Sequence, residues 1–244
     1  IRGELNPIQT KIPGVELGEL MPNMAKSLDK FSIIRSMHSY TASHGKGDHH
    51  LLSGRKFTND FYPPSFGSIL AWQSEARQNG NVPPYVQLGK LTSTNFGFQA
   101  KAGALGRKYD PFLVEPDPNN SKFSVDAFTA NDSIGFKRLT DRQNLLKQVD
   151  QFQARVETKM RFAQTHDAFN ARAFDLLTSN KAKEAFDISR ETEGLRDRYG
   201  RNRVGQGLLL ARRLVESGVR FVTVKGYVRY GWDHHPEVFP RLKM

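Results

Sequence analysis

The 244-residue chain contains no cysteine. That excludes disulfides and thiolate-bound metal, and it fits either side of a membrane. No apolar run approaches the roughly 20 residues that a bilayer-spanning helix needs, so no membrane span is expected. No signal peptide is visible, and there is no internal repeat or low-complexity tract. Acidic residues are the scarcer charge, 25 against 36 Lys and Arg, for a formal net charge of +11. The bases are scattered among acids, and no zinc-finger, helix-turn-helix or RNA-binding signature accompanies them. The excess therefore points to anionic small molecules and not to nucleic acid. Hydrophobic residues make up 38% of the chain, which is enough for a core.

What is present concentrates at two places. Val204 to Val215 reads as a helix, with Leu208, Leu209, Ala211, Arg212 and Val215 as an apolar stripe at helical spacing and Ser217-Gly218 as its stop. Val219–Val224 follows as a short buried strand, then a glycine-bounded loop reaching Trp232-Asp233-His234-His235. Earlier, Glu19 to Lys30 reads as a short helix, Phe31–Met37 as a strand, and His38 to His50 as a histidine-rich loop. The two regions share one plan, and six of the seven histidines lie in their two loops. Open α/β sheets place their chemistry beyond the carboxyl ends of the strands. Phe31–Met37 and Val219–Val224 are therefore expected to be parallel neighbours in one sheet, with both loops meeting over one crevice.

The intervening chain reads as supporting structure. Leu51 to Arg55 closes a short helix that begins in the loop, and Ser65 to about Gln78 forms another, with Phe66, Ile69, Leu70 and Trp72 as its apolar members. Val82–Leu88 is a proline-started strand, which favours an edge position. Residues 92–122 form a loop-rich cap, and Phe123–Phe128 is a candidate strand. Leu139 to Phe162 has the clearest helical periodicity, His166 to Leu177 continues as a second helix, and a helical turn starts near Asp187.

Three groups carry possible chemistry. Asp233 and His235 are a carboxylate and an imidazole of the kind that bind divalent metal, and Asp233 reads equally as capping a helix that opens at Pro236. His44, Asp48 and His49 sit in a run of ionisable groups: Asp48 or His49 suits a metal, His44 suits an acid, a base or an anion contact, and a solvated basic loop is the alternative. Arg55 offers bidentate contacts to a sulfate or phosphate, or else satisfies helix carbonyls.

Several stretches resemble one family. Ser43-His44-Gly45 with Leu51-Leu52-Ser53-Gly54-Arg55 resembles the His-Gly…Leu-Thr-Gly-Arg segment of the bacterial domain of unknown function 1501 family. Pro64–Ser68, Tyr109–Phe112, Ser189–Gly200 and Leu210–Val222 resemble it too, and Trp232-Asp233-His234-His235 stands where the family usually has Trp-Asp-Thr-His. The resemblance implies one α/β domain over 1–244: a mostly parallel sheet flanked by helices, of the alkaline phosphatase and sulfatase type. The family's Gly-Gly-Pro-Ser segment upstream and its Gly-Glu-Phe-Gly-Arg and Arg-Asp-His-Trp segments downstream are not in this chain, which is thus read as a fragment incomplete at both ends. It further implies export to the periplasm or cell exterior through a twin-arginine signal. The implied activity is metal-dependent hydrolysis of sulfate or phosphate esters. His44 and Arg55 would be catalytic, and Asp233, His235, His49 and Asp48 would hold zinc, calcium or manganese. The partner would be an anionic small molecule or glycan ester. A non-catalytic relative that binds an anionic glycan or a protein is the alternative.

Overall fold

The computed structural model describes residues 3–43, 45–58, 60–74, 82–90, 101–125, 179–226 and 238–242. The chain divides into two compact units, residues 1–38 with 227–244 and residues 39–226. In the smaller unit, β1 (Pro7–Gln9) and β2 (Glu16–Gly18) form an antiparallel hairpin. A short helix α1 (Pro22–Lys26) and a 3-10 turn (Leu28–Lys30) follow, and both Ala25 and Leu28 are buried. Helix α7 (Val238–Leu242) belongs to the same unit.

The larger unit is an α/β arrangement built on a three-stranded parallel sheet in the order β4 (Phe112–Val114), β3 (Tyr85–Leu88), β5 (Phe221–Val224). Around it stand α2 (Lys46–Ser53), α3 (Phe66–Gln73), α4 (Asn180–Phe186), α5 (Glu193–Tyr199) and α6 (Arg203–Glu216). Successive strand side chains alternate between faces, and β3 uses both. Val86 and Leu88 join Leu209, Leu210 and Leu214 of α6 and Phe186 of α4 in the main core. Tyr85 packs instead with Ala71 of α3, Leu52 and Phe221.

Helix α3 turns its small residues to the sheet. Gly67, Ser68 and Ala71 are buried, whereas Phe66 and Trp72 are exposed. The reason is the large Tyr85 ring beneath it: a Cβ on Gly67 would lie 2.6 Å from that ring. Of the apolar members read from the sequence, Ile69 is half-buried, and Phe66, Leu70 and Trp72 are exposed. On helix α6 the buried leucines are Leu209, Leu210 and Leu214, at i, i+1 and i+5, while Leu208 and Val215 of the apolar stripe are exposed.

Three further expectations are overturned. Phe31–Met37 forms no strand. Phe31, Ile33, Ile34 and Met37 are exposed, and β5 pairs with β3 instead. β-propensity expresses fit to a pleated, half-buried surface, and this segment has no ladder partner among the described residues. Strand β3 is central, not an edge. Its prolines precede the ladder and so remove no donor from it, and the Pro84 carbonyl accepts from the Arg220 and Phe221 N–H groups at 3.0 and 3.1 Å. β4 lies inside the stretch expected to be loop, being too short at three residues to give a periodic signal. Residues 123–125 are irregular, and the rest of that candidate strand lies outside the described residues. So do the two expected helices at 139–162 and 166–177.

The start of α6 is a tight crossing. Asn202 caps it, its Oδ1 accepting from the Val204 and Gly205 N–H groups at 3.1 and 2.9 Å. Gln206 is fully buried, with its amide donating to the Arg196 and Gly200 carbonyls, each at 2.9 Å. A Cβ on Gly205 would stand 2.1 Å from the Tyr199 carbonyl oxygen and 2.5 Å from that of Gly200. Both are backbone atoms that cannot swing aside. Gly205→Ala is expected to destabilise the fold by about 1–3 kcal/mol, as overpacking does. Urea unfolding measures it, and an unchanged midpoint would contradict the crossing.

Candidate functional site

Helix α2 carries two of the site residues expected from sequence, Asp48 and His49, and Arg55 follows its end. It opens at Gly45, whose φ of +72° favours glycine. The Gly45 N–H donates to Asp48 Oδ2 at 3.3 Å, so this carboxylate helps cap the helix start. The helix ends at Gly54, in the left-handed region at φ +69°, whose N–H donates to the His50 carbonyl at 2.8 Å. Ser53 Oγ donates to the His49 carbonyl at 2.7 Å and accepts from the Arg55 N–H at 3.2 Å. The Leu-Ser-Gly-Arg run is thus a helix-terminating device, and it leaves the Arg55 side chain exposed.

His49 is 2% exposed. Its ring stacks on Tyr62 at 5.1 Å between centroids and meets Phe57 edge-on at 5.9 Å. Burial in this aromatic box lowers its pKa below the ordinary value, and the neighbouring His50 lowers it further. His50 lies edge-on to Tyr40, 5.1 Å away, and Lys56 stands over the same tyrosine ring. Successive helix positions point about 100° apart. Asp48 therefore serves the helix start, while His49 enters the box beside it.

A histidine whose folded pKa is depressed is neutral when folded, while the unfolded chain takes up a proton near pH 6.5. Stability is then expected to fall as pH drops below about 6.5 and on toward the folded pKa. His49→Phe, which keeps a ring in the box, is expected to flatten that fall. The check is denaturant unfolding of both proteins between about pH 7 and 5. Equal pH dependence in the two would remove His49 as the cause.

The second locus is the carboxyl edge of the sheet. All three strands end there, β5 into Lys225-Gly226, β3 into Gly89-Lys90 and β4 into Glu115. Gly89 has φ +83° and donates to the Val114 carbonyl at 2.8 Å, and the Lys225 N–H donates to Leu88 at 2.9 Å. The α3 side of the sheet beneath this edge is polar, which the sequence reading missed. The Tyr85 hydroxyl and Thr223 Oγ1 are hydrogen-bonded at 3.2 Å, and Ser65 Oγ donates to Ser68 Oγ at 3.0 Å. Burial raises the Tyr85 pKa, opposed by hydrogen bonds from Thr223 and Ser65, and the phenol stays neutral near pH 7. Gln87 donates to the Gly89 carbonyl at 3.1 Å, while its buried Oε1 has no hydrogen-bond partner among the described residues. The available signal was period two: Tyr85 and Gln87 are alternate polar positions in an otherwise apolar strand.

His44, Asp233 and His235 lie outside the described residues. The structure therefore brings together Asp48, His49 and Arg55 on and beside α2, and it does not test the expected meeting of the two histidine loops. Among the described residues, no three His, Asp or Glu side chains are grouped to hold a metal ion. No helix among them is long and apolar enough to cross a membrane.

Over residues 1–244 the chain matches the model of a family described as protein of unknown function, DUF1501. No curated protein matches it, and no solved structure does.

Proposed function

The chain belongs to the DUF1501 family, and from that premise we propose that it is an exported, metal-dependent hydrolase of sulfate or phosphate esters with an alkaline phosphatase and sulfatase type of core. The observation that carries this reading is the sheet's common carboxyl edge. Parallel α/β sheets bind ligands in the crevice beyond that edge. Strand β5 ends there, and Asp233 and His235 follow it in the sequence. Lys90 and Lys225 follow the strand ends and place positive charge where an anionic ester would approach.

Asp48 and His49 do not by themselves fit a metal, because one caps α2 and the other is enclosed by rings. In this reading Asp233 and His235 are the principal ligands, and Arg55 and His44 serve the ester and its protons. A bound zinc, calcium or manganese ion would polarise the ester oxygen and acidify a water. The residues described do the rest: they set the edge, carry its charge and keep Tyr85 and Thr223 neutral and fixed beneath it.

The test is turnover of aryl sulfate and aryl phosphate esters by the chain with each of these ions added in turn. Metal-dependent release of the aryl alcohol is expected. No release with any ion from the folded chain, together with retention of a sulfated glycan, would replace the hydrolase with a binding protein.

A further inference from the structure

A cavity of about 410 Å³ lies on the α4 and α5 side of the larger unit, within the size range of small-molecule sites. One wall is the loop from Asn120 to Val125, and the other is α4, the turn at Ile188–Arg190 and Arg196 of α5. Its apolar surface comes from Phe186, Ile188 and Val125, all buried, and from half-buried Phe123. Its polar surface holds Lys183, Arg196 and the hydroxyls of Ser121, Ser124 and Ser189.

Two cations line this cavity. Arg190, Arg201, Arg212 and Arg213 are each paired with a carboxylate. Among the described residues, neither Lys183 nor Arg196 has such a pair. Among the described residues the one carboxylate lining the cavity is Asp187, whose Oδ1 already accepts from the Ser189 N–H at 3.0 Å and the Ser189 hydroxyl at 2.6 Å. Arg196 is also preset. Its Nε donates to Gln206 Oε1 at 2.8 Å, and the fully buried Gln206 is fixed in turn by the Arg196 and Gly200 carbonyls. A guanidinium held in this way loses little side-chain entropy on meeting an anion.

We propose that this cavity binds a small organic oxyanion, with its carboxylate, sulfate or phosphate head between Lys183 and Arg196 and its apolar body against Phe123 and Phe186. None of its lining residues is among those named at the sheet edge, and the proposal does not rest on the hydrolase reading. Calorimetric titration of the chain with benzoate, phenyl sulfate and phenyl phosphate tests it, with phenol and inorganic phosphate as controls. At least one aryl oxyanion is expected to bind more tightly than both controls by about tenfold, the effect of one contact worth 1.4 kcal/mol. Lys183→Gln, a change at a half-buried side chain outside the core, is expected to weaken that binding about fivefold or more. Arg196→Gln should weaken it at least as much, and circular dichroism would check its fold. If no aryl oxyanion binds the folded chain, if phenol binds as tightly, or if Lys183→Gln leaves the affinity unchanged, the proposal is wrong. These titrations require no turnover, so they are judged separately from ester hydrolysis.

Discussion

Arg213→Ala is expected to lower the free energy of unfolding by about 3 kcal/mol, the lower end of the loss on breaking a buried ion pair. Arg213 stands on α6, and its Nη1 donates to Glu191 at 2.6 Å, with side-chain exposures of 15% and 12% for the two residues. Its Nη2 and Nε also donate to the Glu184 and Ala185 carbonyls, at 2.7 and 3.4 Å, near the end of α4. One guanidinium thus joins α6, the end of α4 and the segment after the Ile188–Arg190 turn. Truncating it leaves Glu191 charged and enclosed and removes donors from two carbonyls. Arg213→Lys is not expected to rescue the loss, since an ammonium cannot reproduce three directed bonds. Replacing both partners with apolar residues of similar volume should recover much of it. A loss below about 1 kcal/mol in denaturant unfolding of Arg213→Ala would show that the pair behaves like an exposed one.

The second large effect is on activity. Under the proposed function, Asp233→Asn is expected to lower the turnover of a sulfate or phosphate ester by about 100–1,000-fold, equivalent to roughly 3–4 kcal/mol. An amide keeps the shape of the carboxylate but not its charge, so the variant isolates the charge that a divalent ion needs. Gly205→Ala or Arg213→Ala would lower activity only through the folded fraction, and adding a stabilising solute would restore it. Asp233→Asn should resist such rescue. Unchanged turnover in a folded Asp233→Asn protein would remove this residue from the site.

The contrast between what was legible in the sequence and what was not follows the range of each interaction. Helix α6 and strand β5 were readable because each is a local pattern bounded by Ser217-Gly218, and the short helix ending at Arg55 was readable from Ser53-Gly54. The inward faces of α3 and α6 were not, because the partner surface chooses the face: a tyrosine on β3 demands glycine, serine and alanine opposite it. Phe31–Met37 has strand composition, but pairing is a property of two segments. The order β4-β3-β5 joins pieces more than a hundred residues apart. The bonds of Gln206 and Arg213 run to backbone carbonyls whose positions exist only after folding. At the site, composition marked α2 as unusual, whereas the cap made by Asp48 and the box around His49 are features of geometry.

The most direct measurement is the metal content of the purified chain beside that of its Asp233→Asn variant, both loaded with zinc, calcium or manganese and then dialysed against metal-free buffer. Near-stoichiometric retention of one of these ions by the parent chain, and loss of most of it in the variant, are expected. A folded parent chain that retains none of them, or a variant that retains as much as the parent, would contradict the proposed metal-dependent site.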